Sequence, residues 1–189
     1  MNGFLSNAHR FISPRPVFLI GTVSNNKHNI IPITNVTQIS TEPSELIVSI
    51  YKEWETSSSL ENLDHCTLSP LYEEYIEDGW KLGAKYSGWK YVEPEKKLES
   101  IETSIGIDNQ TGLPYLQNKI PILFCKIIKK LDYSSDHNLF VLRPYKYISE
   151  NGLEEHEVKN PDLNKIVFQV IQGVFGISIR KNKKLEYYK

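Results

Sequence analysis

Apolar and β-branched residues crowd the first third of the chain, in short runs parted by turn-forming residues. Pro16 to Ser24 (PVFLIGTVS) predicts a strand, and Asn25-Asn26-Lys27 behind it has the chemistry of a hairpin turn. Asn29 to Ile39 (NIIPITNVTQI) is a second extended run. Pro32 has no N–H to give to a ladder, which places this run at a sheet edge or a bulge. Thr41-Glu42-Pro43 interrupts the chain before Glu45 to Tyr51 (ELIVSIY), a third strand. Three strands in series with short links predict an antiparallel meander rather than βαβ units.

Beyond residue 51 the periodicity changes. Ser59 to Leu63 predicts a short helical turn. Ser69-Pro70 reads as an N-cap followed by a first-turn proline, with Glu73 and Glu74 near the positive helix end. Tyr72, Tyr75, Ile76, Trp80 and Gly83 then share a helical face, with Gly79 weakening the middle, so a helical excursion is expected over residues 69–87. Asp108 to Gly112 reads as a loop, and strands resume at Pro121 to Leu131 and at His137 to Tyr147. Asn160-Pro161-Asp162 supplies a cap, a first-turn proline and an early acid. Leu163, Ile166, Val167, Val170, Ile171 and Val174 follow at spacings of three and four. A C-terminal helical segment is expected around residues 160–176; its stripe suits a cover over an open barrel end and a subunit contact equally. The pattern describes one β-rich domain over residues 1–189 with helical appendages.

Composition narrows the class. Hydrophobic residues make up 40% and charged residues 24%, an ordinary core-forming mixture. The formal net charge of −1 gives no long-range attraction for nucleic acid or an anionic membrane. Met1 to Ile12 lacks a signal-peptide core, and no run approaches the roughly 18 apolar residues of a membrane span. Cys66 and Cys125 lie far apart without CxxC spacing, as buried thiols of a reducing compartment do, so the cytoplasm is the expected location. His9, His28, His65, His137 and His156 show no HxH or HxxxH spacing, and no metal site is expected.

Candidate chemistry concentrates between Pro32 and Leu63. A strand rich in hydroxyl and amide groups (Thr34, Asn35, Thr37, Gln38, Ser40) precedes an apolar strand, which is followed by Thr56-Ser57-Ser58-Ser59 at a helix start. Backbone N–H groups and short hydroxyls at such a start suit a phosphate group. The same residues also suit a plain role, capping the helix and satisfying a strand surface.

Their order decides between these readings. Arg15-Pro16-Val17, Ser40-Thr41-Glu42-Pro43, Ile47-Val48-Ser49-Ile50 and Ser59-Leu60-Glu61-Asn62-Leu63 follow one another in a pattern that resembles the flavin reductase-like family. Ala84-Lys85-Tyr86-Ser87-Gly88, Lys90-Tyr91, Phe124-Cys125-Lys126 and Asp136-His137-Asn138-Leu139-Phe140-Val141 continue it in the same order. The resemblance covers Arg15 to Val141, roughly two thirds of the chain. No piece is specific alone; the ordered set is.

The resemblance implies a mainly β fold, an FMN-binding split β-barrel of Greek-key antiparallel strands with α appendages, dimeric with a second copy of itself. It implies non-covalent FMN and a flow of electrons from NADH, NADPH or another small-molecule donor to a small acceptor. Thr34 and Asn35 match positions that touch ribityl and phosphate, and Thr37 and Gln38 would run beneath the ring. Ser57, Ser58 and Ser59 match the phosphate-side loop, with Lys90 as a neutralising charge and Trp54 as the aromatic best placed to stack. His137 is the catalytic candidate, positioning a nicotinamide or donating a hydrogen bond; its plain reading is a structural hydrogen-bonding residue. The cofactor carries the hydride chemistry, so no protein triad is required. After Val141 the family's Gly-Glu-Val is replaced by Leu142-Arg143-Pro144, which keeps a non-catalytic flavin-binding protein as the rival reading. A small barrel for single-stranded nucleic acid is a third, opposed by the neutral charge.

Overall fold

Asn25 and Asn26 take φ of 51° and 62°, two consecutive left-handed residues, which asparagine tolerates better than most side chains. This is a two-residue hairpin turn of the kind whose twist matches the strands it joins. In the computed structural model, which describes residues 11–83, 93–117, 119–131, 135–171, 174–179 and 184–188, it joins the second and third strands. The first, β1, is Arg15–Pro16; β2 is Phe18–Ser24 and β3 is Lys27–Ile33. The chain continues through β4 (Val36–Ser40), β5 (Glu45–Tyr51), helix α1 (Glu55–Asn62) and β6 (His65–Pro70). Next come a 3₁₀ turn at Glu73–Tyr75, α2 (Ile76–Leu82), α3 (Pro94–Glu99), β7 (Ile105–Ile107) and β8 (Pro114–Leu116). The two long strands β9 (Ile122–Leu131) and β10 (His137–Ile148) follow, then β11 (Glu154–Glu155), β12 (Val167–Ile171), β13 (Val174–Ile179) and β14 (Lys184–Tyr188).

The main sheet runs β3-β2-β6-β9-β10-β5-β4, antiparallel throughout, with β11 added on β10. Its two terminal strands are neighbours in the chain, separated only by Thr34 and Asn35. Three Cα steps reach no more than about 11 Å. The sheet must therefore curl until its ends almost meet, and the ladder stays open along that seam: a split barrel. The expected meander is accordingly corrected. The run from Asn29 to Ile39 is two strands, broken at the seam and paired with partners on opposite sides of it. Pro32 does lie on a terminal strand, where its missing N–H is harmless.

Alternate residues of β2 and β3 enter different cores. Ile20, Ile31 and Ile33 point into the barrel with Val48, Ile50, Leu60, Leu68, Phe140 and Leu142. Leu19 and Ile30 face outward into a second layer with Leu71, Tyr72, Ile76, Leu82 and Val167. Burial on both faces explains why these strands read as unbroken apolar runs. Gly79 lets α2 approach, since a Cβ there would sit 2.4 Å from Leu71 Cδ2.

Two helical expectations fail. Ser69 and Pro70 do not begin a helix: they finish β6, with Ser69 opposite Leu19, and among the described residues of the expected excursion the helical part is the 3₁₀ turn Glu73–Tyr75 and α2, Ile76–Leu82; residues 84–87 lie outside the described residues. Among the described residues of 160–176 there is no helix either. Val167–Ile171 and Val174–Ile179 are strands of a second antiparallel sheet, β1-β12-β13-β14. The β-branched residues that made the helical stripe are also strong strand formers. The edge of β1 supplies a partner, with Arg15 opposite Gln169, and pairing across the fold outweighs local periodicity.

Candidate functional site

At the seam, Arg15 reaches across from the second sheet. Its Nη1 donates to Asn35 Oδ1 at 2.5 Å and its Nη2 to Gln169 Oε1 at 3.1 Å; Thr34 Oγ1 donates to the same Gln169 oxygen at 3.2 Å. Ser49 N donates to the Asn35 backbone carbonyl at 3.0 Å, tying the crossing to β5. Thr34 and Asn35 are thus held from three elements, and both are half-buried.

From the seam, β4 carries Thr37 and Gln38 outward, both exposed. They do not share a face. Thr37 is opposite Ile47 and Gln38 opposite Leu46, so the pleat sends Thr37 to the outer surface of the barrel and Gln38 to its mouth. At the mouth, Gln38 borders an open groove of about 270 Å³ walled by Phe18, Val36, Leu46, Leu123 and Tyr147, which Thr37 also touches. The other edge of β4 pairs with no strand among the described residues, which leaves its backbone groups facing outward.

His137 begins β10 opposite Tyr51. It lies on the outer surface that carries Thr37, and along β5 the two are separated by the steps from Ile47 to Tyr51, about 13 Å. Its Nδ1 is 2.7 Å from Asp136 Oδ1, and hydrogen bonding to His137 holds the Asp136 carboxyl below the usual carboxylate range. The imidazole meets Tyr51 edge-on at 5.6 Å between centroids, and Tyr51 meets Trp54 at 6.2 Å. Tyr51, Trp54 and His137 therefore form one aromatic group beside the start of α1.

Helix α1 begins at Glu55, with Trp54 as a cap that makes no side-chain hydrogen bond. Of the three candidate serines only Ser58 is exposed, and its hydroxyl donates to the Glu55 carbonyl at 2.9 Å. Ser57 and Ser59 lie on the buried side of the helix, which plugs the barrel. Asn138 Nδ2 donates to Ser57 Oγ at 2.9 Å and to Glu61 Oε1 at 2.7 Å; Asn29 Nδ2 donates to Thr56 Oγ1 at 3.0 Å. These hydroxyls serve the barrel interior, and the Ser57 N–H donates to the Trp54 carbonyl at 2.9 Å, so the side of α1 that carries Ser57 and Ser59 is turned away from a ligand. Lys90 lies outside the described residues. Among those described, no group of three or more His, Cys, Asp or Glu residues could hold a metal, and no helix is long and apolar enough to cross a membrane.

Sequence reasoning used Arg15 only as part of a motif and did not single out Gln169, Tyr51 or Asn138. Gln169 lies 154 residues from Arg15 along the chain, and no local spacing could connect them.

A curled antiparallel sheet with an open seam, polar crossing residues and an exposed terminal strand defines a split barrel. Residues 9–161 match the family model described as flavin reductase like domain, and the chain belongs to that family. Its fold is shared by an FMN-binding protein from Thermus thermophilus, solved with bound 1-cyclohex-2-enone, at 21% identity and a TM-score of 0.75 over 94% of this chain and 93% of that one. Flavoredoxin from Methanosarcina acetivorans aligns at 16% identity and a TM-score of 0.67, over 100% and 92% of the two chains. The NADH:FAD oxidoreductase SgcE6 of Streptomyces globisporus C-1027 aligns at 13% identity and a TM-score of 0.57, over 79% and 84%. Comparison with curated proteins gives no significant match.

Proposed function

We propose that this protein binds FMN non-covalently along the seam and the outer surface of β4 and β5, and passes electrons from a reduced nicotinamide to a small acceptor. The observation that carries the reading is the exposed edge of β4, unpaired among the described residues, beside the Thr34-Asn35 crossing and continuous through β5 with His137 and the start of α1. An outward-facing backbone edge offers N–H and C=O groups to the rim of a planar heterocycle, and Thr34, Asn35 and Thr37 add side-chain groups beside it. Gln38 points to the mouth, so its share in holding the cofactor is through the backbone; at the start of α1 Ser58 is the exposed serine beside the buried Ser57 and Ser59, and Lys90 is read as the neutralising charge.

Bound FMN would supply the hydride and electron chemistry. His137, oriented by Asp136 and flanked by Tyr51, would position the donor. The names of two structural relatives, an FMN-binding protein and an NADH:FAD oxidoreductase, support the choice of cofactor and donor class. The exposed apolar Ile39 and Trp54 beside this face support a homodimer built over it. Cys66 and Cys125, buried and unbridged, fit a cytoplasmic protein.

The test is direct. Purified protein should bind FMN with a shifted visible spectrum, and stopped-flow mixing of the loaded protein with NADH and with NADPH should bleach the flavin well above the free-FMN rate. No FMN binding sinks the reading. Binding without accelerated bleaching leaves a flavin-binding protein that is not a reductase.

A further inference from the structure

Helix α1 plugs one end of the barrel, and the other end stands open among the described residues. The groove there is walled where β5 and β9 begin and β10 ends, by Leu46, Leu123 and Tyr147, with Phe18 and Val36 beside them. Phe18, Val36, Leu46 and Leu123 pack against the barrel core, yet each is only partly buried. Leu60 of α1 belongs to the same core at the plugged end and is fully buried. Apolar surface left in water at the edge of a core favours whatever apolar body covers it. The polar groups along the rim are satisfied or turned aside. Gln38 Nε2 donates to the Ser40 carbonyl and to Thr41 Oγ1, each at 3.2 Å. Lys159 is the one charged residue lining the groove among those described, and its Nζ pairs with Glu155 Oε2 at 2.6 Å. The Tyr147 hydroxyl is held by a hydrogen bond with the Lys159 backbone. Ser69 stands opposite Leu19 on the outward face of the sheet, and Thr37 takes the outward face of β4. An entering molecule meets hydrocarbon and no free counter-charge, so a charged one would lose its water without replacement.

We propose that the open barrel mouth is a binding site for a small, neutral, largely apolar molecule, separate from the cofactor face. Barrel mouths recur as ligand sites because the surrounding strands supply a rigid apolar wall on several sides. A space of about 270 Å³ lies just below the range that holds drug-sized ligands, which suits one ring or two fused rings of roughly ten non-hydrogen atoms. The proposed flavin lies against the outer surface of β4 and β5, whereas Val36, Leu46 and Leu123 turn inward. The two ligands thus take opposite sides of one sheet. The mouth site does not rest on the proposed function, and FMN should neither block it nor be displaced from its own face.

Indole is the probe, with indole-3-carboxylate as its charged counterpart. Each is titrated into the full chain, isotopically labelled at its Leu, Val and Ile methyl groups, with and without FMN. Indole should shift the methyls of Val36, Leu46 and Leu123, saturating below about 1 mM, and leave Leu113 of the outer layer in place. Indole-3-carboxylate should bind about tenfold more weakly or worse. Leu123→Phe fills the mouth from β9, away from the β4 and β5 face. It should weaken indole about fivefold or more and leave FMN affinity unchanged. If this variant fails to fold, the wild-type methyl shifts decide alone. The proposal is overturned if indole shifts no mouth methyl, if the carboxylate binds as tightly as indole, or if FMN displaces indole, which would merge the mouth with the cofactor site. Mouth methyls that respond to protein concentration while indole does not reach them would also overturn it, making the mouth a contact between copies of the chain. A protein that takes indole in the mouth and binds no flavin would refute the FMN reading and leave this site standing.

Discussion

His137 and Asp108 show two ways in which a polar residue is used here. His137 is half-exposed on the outer surface and touches Asp136 and Tyr51, so its replacement should disturb function more than stability. In His137→Gln, FMN affinity is expected to stay within threefold of wild type. The rate of flavin reduction by NADH should fall about tenfold, the worth of one hydrogen bond; an unchanged rate would return His137 to a structural role. Asp108 is buried, which alone would push its carboxyl up, but hydrogen bonds from Lys146 and Thr111 outweigh this and hold it below the usual range. A carboxylate depressed in the folded state contributes stability that is fully present above the ordinary range near pH 4 and is lost as pH falls through the lower folded value. Asp108→Asn should therefore flatten the acid limb of the stability curve below about pH 4. It should also cost about 1–3 kcal/mol at neutral pH by leaving Lys146 without its partner, measured by urea unfolding across pH. The loop at Asp108–Gly112 was legible from its turn residues. Its carboxylate's partner, 38 positions along on β10, was not.

Among the elements, those governed by neighbouring residues were read correctly and those governed by distant partners were not. The Asn25-Asn26 turn needs two left-handed residues in a row, a demand met locally. Asn26→Val places a β-branched side chain at φ 62° and is expected to destabilise the hairpin by about 1–2 kcal/mol, whereas Asn26→Gly should be near neutral. Denaturant midpoints of the two variants would check this, and equal values would remove strain from the account. The strands at β9 and β10 were likewise legible from β-branched runs. The segment at residues 160–176 was not, because Ile166, Val167, Val170 and Ile171 satisfy a helical stripe and a strand alike. What separated the two was the open edge of Arg15–Pro16, about 150 residues earlier in the chain.

Across the whole molecule, one core inside the curled sheet and another outside it hold the seam in place. Phe140 is fully buried inside the barrel, on β10 opposite Val48. Phe140→Ala should cost about 3–5 kcal/mol, seen as a lower urea midpoint with an unchanged m-value. A loss below about 1 kcal/mol would mean that the barrel interior collapses around the gap. The amino-acid sequence by itself determined the β-rich class, the family and the order of the polar strand, the apolar strand and the helix start, because these rest on residue types at short separations. Only the tertiary structure decided which side of a strand or helix each candidate occupies. The pleat parts Gln38 from Thr37, the barrel interior claims the Ser57 and Ser59 hydroxyls, and closure of the sheet brings Arg15 to Asn35 and Gln169. These outcomes depend on pairings between distant strands, and a side chain's neighbours there are set by how the sheet closes.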